Sequence, residues 1–208
     1  MKTLNLVTII FLFIFFSCSS QVSTNAEKVN FGIYETVKTN EIPDHILDSI
    51  KAKNIRLKNN PQSAIIGYIL KSDLSVLQLD FSTENIKLVK TFYTGDTSKV
   101  SNAINPDSEY YAIAAVRLSP AMNNSDIKKT KANGNYVEIN FNLKGARKWA
   151  DMTKNNVGNI VAIVIDNQIY SMPRVNSEIR RGIAGISGFE NEFIAKEISE
   201  SLNASKTE

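Results

Sequence analysis

The chain has 208 residues, of which 43% are apolar and 22% charged, an ordinary globular composition that can bury a core. Its formal net charge of +3 is spread along the sequence without a basic stripe, which argues against a nucleic-acid partner. A single histidine and a single cysteine nearly exclude a zinc site, a Cys-His dyad and an internal disulfide, so neither a metal nor a cofactor is predicted.

The N-terminus carries the most specific local signal. Lys2 precedes an apolar run of 11 residues, LVTIIFLFIFF, which suits a signal-peptide core and is too short to span a bilayer. The run ends in Phe15-Phe16-Ser17-Cys18, which resembles the lipobox of bacterial lipoproteins, although leucine is more usual than Phe15 at its first position. The prediction is a signal peptide over residues 1–17 and a triacylated Cys18. The alternative is an ordinary secretory signal with an incidental cysteine.

A polar tether is predicted to follow the anchor over residues 18–29. It contains no periodic pattern, and a flexible segment of this length spans roughly 18 Å. The folded part is therefore expected close to a membrane on the periplasmic side. Ser19 and Ser20 provide no acidic retention-type residue after the cysteine, which favours the outer membrane over the inner membrane.

Residues 30–108 are predicted to form an N-terminal α/β region. Apolar runs separated by turn residues define its elements, and Gly67 is expected to mark a β-bulge. The predicted strands lie at 31–37, 64–70, 74–81 and 86–92, and the predicted short helices at 41–50 and 98–104.

Residues 109–205 are predicted to form a second domain. A strand at 110–118 is followed by a helix at 125–132 with Ser125 as N-cap, and then by VEINFNL, whose alternation predicts a half-buried strand from Val137 to Leu143. Gly145 opens a helix. The last helix, about 191–203, is expected to bury Phe193, Ile194, Ile198 and Leu202.

A β-hairpin is predicted at the centre of this second domain. Its strands lie at 160–165 and 168–172, joined by Asp166-Asn167, two residues that tolerate the left-handed backbone of a two-residue turn. The predicted order of the domain is β-α-β-α-β-β-β-α. It indicates an α+β fold, with helices on one face of a mostly antiparallel sheet.

The second domain resembles the head subdomain of the large periplasmic domain of SecD, an accessory subunit of the Sec preprotein translocase. The resemblance covers about 95 residues and lies in an ordered set of short elements: the alternating strand before Gly145-Ala146, Thr153 with Asn156-Val157-Gly158, AIVID at 162–166, Ile169-Tyr170-Ser171 with Pro173, Ile179 with Gly182, and Ile186 with Gly188-Phe189. Phe31 and Tyr34-Glu35-Thr36 match the FxxYET start of the same SecD region. Residues 42–108 match only loosely.

The resemblance implies a surface that contacts emerging, unfolded preprotein. SecD also carries six transmembrane helices and takes part in proton-driven translocation through acidic residues in the membrane. No membrane span is predicted here, so that activity is not carried over to this chain.

No catalytic residue is predicted. Gly182, Gly185 and Gly188 lack the strand, lysine and spacing of a phosphate-binding loop, and together with Gly145 and Gly158 they are interpreted as structural glycines for turns and close packing. Asp166 has no neighbouring acid, base or metal-ligand pattern, and it is interpreted as a turn residue.

Tyr170, Met172 and Pro173 form the candidate polypeptide-binding site. Tyrosine and methionine adapt to varied apolar partners, and a strand that ends in proline leaves an edge for an extended peptide. The alternative is plain core packing with edge protection.

The leading hypothesis is a membrane-anchored periplasmic lipoprotein that binds exported or unfolded polypeptide, with preproteins or Sec translocase components as partners. The alternative is a structural or regulatory envelope lipoprotein that binds one folded partner unrelated to translocation. A hydrolase is the least supported class, because no nucleophile-base pair is visible.

Overall fold

The computed structural model describes residues 28–71, 73, 80–91 and 110–206. The predicted signal peptide, Cys18, most of the strand predicted at 74–81 and the helix predicted at 98–104 lie outside these residues. Among the helices of the described ranges, none is long and apolar enough to cross a membrane.

Two β-sheets organise the described part of the chain. The larger sheet takes its nine strands from both sides of the boundary predicted between residues 108 and 109: β1 (Phe31–Val37), β2 (Arg56–Leu57), β3 (Ile65–Leu70), β4 (Asp80–Phe81), β5 (Ile86–Thr91), β6 (Tyr110–Arg117), β7 (Met122–Asn123), β10 (Val161–Ile165) and β11 (Gln168–Ser171). The smaller sheet has three antiparallel strands: β8 (Ile127–Asn133), β9 (Tyr136–Phe141) and β12 (Ile183–Ile186).

Five strands of the larger sheet close into a ring. β6 pairs with β5 along one edge and with the end of β1 on the other, and the path from β1 through β10 and β11 returns to β5. Inside the ring lies a small apolar core: Tyr34, Val89, Ala114, Val116, Ala162, Val164 and Ile169. All five residues of β10 are buried, because Ala162 and Val164 belong to this core while their neighbours face outward into another. This explains the uninterrupted apolar sequence of the strand.

Helices cover the outward-facing apolar surfaces. α2 (Leu143–Asn155) and α3 (Glu192–Ala204) pack on the three-stranded sheet, where the Phe141 and Trp149 rings lie 5.7 Å apart. The same core includes Ile163 on the outer face of the ring. α1 (Asp44–Lys51) buries Ile46 and Ile50 in a separate cluster against β3, β5 and β6.

The α+β class with a mostly antiparallel sheet is confirmed. One strand pair is parallel, β5 with β11. Asp166 and Asn167 connect β10 and β11 with φ angles of +47° and +59°, as a type I′ turn requires. The register shift between Ile65 and Gly67 confirms the predicted irregularity of β3.

The prediction of a helix at 125–132 is wrong. Residues 124–126 form a single 3-10 turn, capped by Asn123 instead of Ser125, and the chain then continues as β8. The side chains of Ile127 and Thr130 are buried while the lysines between them are exposed. Pairing with β9 and coverage by α3 therefore outweigh the helical preference of the lysines.

Two side chains predicted to be buried are exposed. Phe193 is 67% exposed because α3 turns Ala195 and Leu202 inward and leaves Phe193 on the other side. Leu143 is 74% exposed because it is the first residue of α2 and not the last of β9. The side chain of Asn142 caps this helix by accepting a hydrogen bond from the Gly145 N–H at 2.9 Å.

Candidate functional site

A cleft of about 370 Å³ opens at the end of the ring where β10 begins and where β5 and β11 end. Its walls come from three separate parts of the chain: residues 62–65 at the start of β3, Thr91 at the end of β5, and Ile160 with residues 169–172 on the β10–β11 hairpin. The pairing of β3 with β6 and of β5 with β11 brings these segments together. The cleft is thus a product of ring closure.

The lining of the cleft is mainly apolar. It includes Ala64, Ile65, Ile160, Ile169, Tyr170 and Met172, and Met172 packs against the core inside the ring. Hydroxyl and amide groups come from Gln62, Ser63, Thr91 and Ser171. Among the described residues that line it, none carries a formal charge. Such a surface suits apolar side chains of a peptide better than a charged metabolite.

The structure brings two of the three predicted site residues into this cleft. Tyr170 and Met172 line it, whereas Pro173 is exposed outside the lining and its carbonyl accepts a hydrogen bond from the Val161 N–H at 3.1 Å. Pro173 therefore ends the strand beside the cleft without forming its wall.

A β-bulge determines how Tyr170 is presented. Ile163 pairs with Ser171 and Val164 with Ile169, so Tyr170 is the extra residue of β11. Its ring packs on Phe189 with centroids 5.6 Å apart. Burial raises the pKa of the Tyr170 hydroxyl above its ordinary value of 10.0, and the negative charge of Asp166 adds to this effect. The hydroxyl is therefore protonated at neutral pH and can donate a hydrogen bond.

Residues 62–65, Thr91 and Ile160 were not predicted as parts of this site. Gln62 and Ser63 belong to a turn-rich stretch, and Thr91 ends an ordinary strand. Their role depends on strand pairing across the chain, which no local pattern reports. In the sequence, only the hairpin residues Tyr170, Met172 and Pro173 pointed to this end of the sheet.

Two polar side chains of β1 connect this end of the ring to the loop after α2. The Asn156 side-chain amide donates to Glu35 Oε1 at 2.8 Å, and the Thr36 hydroxyl donates to the Ile160 carbonyl at 2.7 Å. Glu35, the acceptor of the first bond, and Thr36, the donor of the second, both belong to the Tyr34-Glu35-Thr36 segment that matched SecD in the sequence. The Thr36 bond holds Ile160, the cleft-lining residue just before β10, against β1.

The glycines expected to be structural occupy crowded or left-handed positions. A Cβ on Gly145 would lie 2.5 Å from the Asp126 carbonyl oxygen, and one on Gly182 would lie 2.6 Å from the Cβ of Ala146. The ring of Tyr136 lies over Gly185. Gly158 and Gly188, like Gly182, have positive φ angles.

Other titratable side chains lie apart from the cleft lining. Asp166 Oδ1 accepts a hydrogen bond from the Asn30 N–H at 2.8 Å and so ties the hairpin turn to the start of β1. His45 is exposed on α1, with Nε2 3.8 Å from Glu84 Oε1. Among the described residues, no group of three His, Cys, Asp or Glu side chains is placed to hold a metal ion.

The C-terminal half of the chain is similar to a known protein family. The family model described as "SecDF, P1 head subdomain" matches residues 105–206, just under half of the chain. This range contains α2, α3 and the whole three-stranded sheet, together with the β10–β11 hairpin.

Individual relatives extend the comparison. The protein translocase subunit SecD of Rhodothermus marinus is 44% identical over 62 residues, which cover 30% of this chain and 10% of the relative. SecD of Calditerrivibrio nitroreducens is 28% identical over 169 residues, 80% of this chain and 28% of the relative. The chain therefore spans less than a third of the length of these relatives. A crystal structure of SecDF in a super-membrane-facing form aligns with a TM-score of 0.44 at 16% identity, over 87% of this chain and 29% of that one.

Proposed function

We propose that this chain, in which residues 105–206 match the SecDF P1 head subdomain, is a non-catalytic binding module for unfolded or exported polypeptide. The observation that carries the proposal is the mainly apolar cleft that joins Tyr170 and Met172 to Ile65 at the end of the ring, with no formal charge among its described lining residues. The family relation supplies the class of partner: exported preproteins, or components of the Sec translocase.

The geometry of β11 favours an extended peptide as the ligand. β11 pairs with β5 through Gln168 and Ile169, and the residues that follow, Tyr170 to Met172, line the cleft. A peptide laid along this stretch would pair its backbone with β11 and place alternate side chains on Ile65 and Met172. Backbone pairing makes such binding tolerant of sequence, as a contact with many different exported proteins requires.

The anchor belongs to the same proposal. A lipidated Cys18 and a tether over residues 18–29 would hold the module on the periplasmic side of a membrane, the outer membrane more than the inner one, without a spanning helix. More than one acyl chain is needed for stable attachment, so a triacylated cysteine suffices where a single chain would not.

Photo-crosslinking in cells tests the binding role. A benzophenone amino acid is placed at Ser171 or Tyr170 in the cleft, and at Phe193 on α3 as an exposed control outside it. We expect adducts with many exported proteins, translocase subunits among them, from the two cleft positions and not from Phe193. One folded partner captured from the cleft would contradict this role and favour an envelope lipoprotein unrelated to translocation. The same adducts from all three positions would also contradict it.

Metabolic labelling tests the anchor. We expect a labelled fatty acid to be incorporated into the wild-type protein and lost in the Cys18→Ala variant, which should also leave the membrane fraction. Mass spectrometry of the mature N-terminus should find Cys18 as its first residue. A mature chain that begins at another residue, without label, would contradict the anchor and leave the cleft experiment unaffected.

A further inference from the structure

The smaller sheet has one protected edge and one open edge. At the β8 edge, the Asn203 side chain accepts from the Thr130 N–H at 2.9 Å and donates to the Thr130 carbonyl at 3.1 Å, and Lys206 Nζ donates to the Lys128 carbonyl at 3.2 Å. The other edge belongs to β12, which pairs with β9 on its inner side. Its residues, Ile183–Ile186, include none of the prolines or charged side chains with which proteins commonly protect an edge strand.

The register of β12 determines which of its backbone groups face outward. The Gly182 carbonyl accepts a hydrogen bond from the Phe141 N–H at 2.9 Å, so Gly182 and every second residue after it bond to β9. The residues between them, Ile183 and Gly185, therefore turn their N–H and C=O groups away from β9 and toward the open edge.

These outward groups are largely unpaired in the described part of the chain. The Ile183 carbonyl accepts a hydrogen bond from the Trp149 indole N–H at 3.1 Å. Among the described residues, none bonds to the Ile183 N–H or to either backbone group of Gly185. Ile183 and Gly185 are half-buried, and Ser187, which continues the edge, is exposed. The edge thus offers a short row of free donors and acceptors.

Gly185 presents both a donor and an acceptor at the middle of this edge. A second copy related by a two-fold axis through Gly185 would satisfy both groups reciprocally, and Ile183 of each copy would lie opposite Ser187 of the other. The ring of Tyr136 lies over Gly185 and is 36% exposed, so the two rings would also meet beside the axis. The edge is therefore complementary to itself.

The two ends of the edge carry opposite charge. Arg181 precedes the edge and is exposed, while the neighbouring Arg180 is paired with Glu178 at 2.9 Å. Glu190 and Glu192 follow the edge and are exposed. In an antiparallel pair the start of one strand meets the end of its partner, so Arg181 of each copy would lie near Glu190 of the other. An arbitrary peptide would lack this match, which favours a second copy of the chain as the occupant.

We propose that β12 pairs edge to edge with β12 of a second copy, in antiparallel register about Gly185, and so joins the two three-stranded sheets into one continuous sheet. The contact is short and forms a weak, reversible dimer. It uses neither the cleft nor the predicted anchor, and it therefore adds an interaction surface to the proposed function without depending on it.

Photo-crosslinking of the full chain in cells tests the dimer. Two copies with different affinity tags are co-expressed, and a benzophenone amino acid replaces Ser187 in one of them. Lys131, exposed on β8, is the control position in the same sheet. We expect an adduct from Ser187 that carries both tags, with the link within residues 181–185 of the unmodified copy, and no such adduct from Lys131.

Charge reversal provides a second measurement on the same adduct. Placed in both copies, Arg181→Glu or Glu190→Lys should lower the adduct yield about fivefold, because two symmetric attractions become repulsions. The double variant Arg181→Glu/Glu190→Lys should restore the yield. Both side chains are exposed, and circular dichroism of the purified variants checks that the fold is kept.

Four outcomes would overturn the proposal: no adduct between the two copies, a link outside residues 181–185, adducts from Ser187 mainly with other proteins, or a double variant as weak as the single ones. None of them bears on crosslinking from the cleft or on fatty-acid labelling. Failure of the dimer is therefore distinguishable from failure of the proposed function.

Discussion

Asn156 and Glu35 are joined by a hydrogen bond of 2.8 Å between residues 121 positions apart. The Asn156 side chain is largely buried, and its amide also donates to the Met152 carbonyl at 3.0 Å. The pair connects the end of α2 to β1, next to the Thr36 bond that holds Ile160 at the cleft. We therefore expect this contact to influence both stability and the position of the cleft wall.

Replacing Asn156 by aspartate should destabilise the protein by about 2–4 kcal/mol, because the change removes a buried donor and places two carboxylates side by side. Glu35→Gln keeps an acceptor oxygen and should lower the free energy of unfolding by only about 1 kcal/mol. Urea unfolding at neutral pH measures both. An Asn156→Asp protein as stable as wild type would show that the hydrogen bonds of this amide contribute little to stability.

Gly145→Ala should destabilise the protein by about 2 kcal/mol, since the new Cβ would lie 2.5 Å from the Asp126 carbonyl oxygen. The sign of the stability change is informative, because in an uncrowded helix the same substitution would stabilise the protein by about 1 kcal/mol. Gly134→Ala serves as a control: its φ is +59° and nothing lies within 4 Å, so only the left-handed backbone contributes, at about 1 kcal/mol. A stabilised Gly145→Ala protein in thermal unfolding would refute the close approach.

Asn167→Gly should stabilise the hairpin by about 0.5 kcal/mol, because glycine adopts the observed φ of +59° without strain. Asn167→Val should instead cost about 1–2 kcal/mol, since a β-branched residue is disfavoured there. Chemical denaturation of the two variants provides the comparison. Equal stabilities would mean that the turn relaxes to another conformation at little cost.

The stability of the protein should fall above pH 10 in a way that depends on Tyr170. Burial, aided by Asp166, raises the pKa of this phenol in the folded state above 10.0. The unfolded chain therefore loses the proton first as the pH rises, so the stabilisation is complete below pH 10 and is lost as the pH passes through the folded-state pKa.

Thermal unfolding of wild type and Tyr170→Phe between pH 8 and 11 checks this dependence. The difference in melting temperature between them should shrink or change sign as the pH rises. Tyr136, whose pKa is also raised by burial, is present in both proteins and cancels in the difference. A difference that does not vary with pH would contradict the assignment.

Elements with a strong local signal were predictable from the sequence. β1 occupies the predicted residues 31–37, and the Asp166-Asn167 turn follows from two residues that tolerate positive φ. The last helix begins after Asn191, whose side chain accepts from the Ile194 N–H at 3.0 Å, one residue from its predicted start. In each case the chemistry that defines the element lies within a few neighbouring residues.

Elements that depend on distant partners were not predictable in this way. β8 is rich in lysine, and it is a strand because β9 pairs with it and Asn203 occupies its outer edge. The cleft, too, could be predicted only in part. Met172 and Tyr170 were found through the hairpin, whereas Ile65 reaches them only through the pairing of β3 with β6.

Closure of the ring also determines when the fold can form. Thr36 bonds to Ile160, 124 residues later, and the described partners of β1 all lie at or beyond β6. When the chain emerges from a ribosome or a channel with its N-terminus leading, β1 therefore stays without these strand partners until more than half of the sequence has emerged. Contacts of such high sequence separation form late and slowly. The topology itself thus delays closure of the ring.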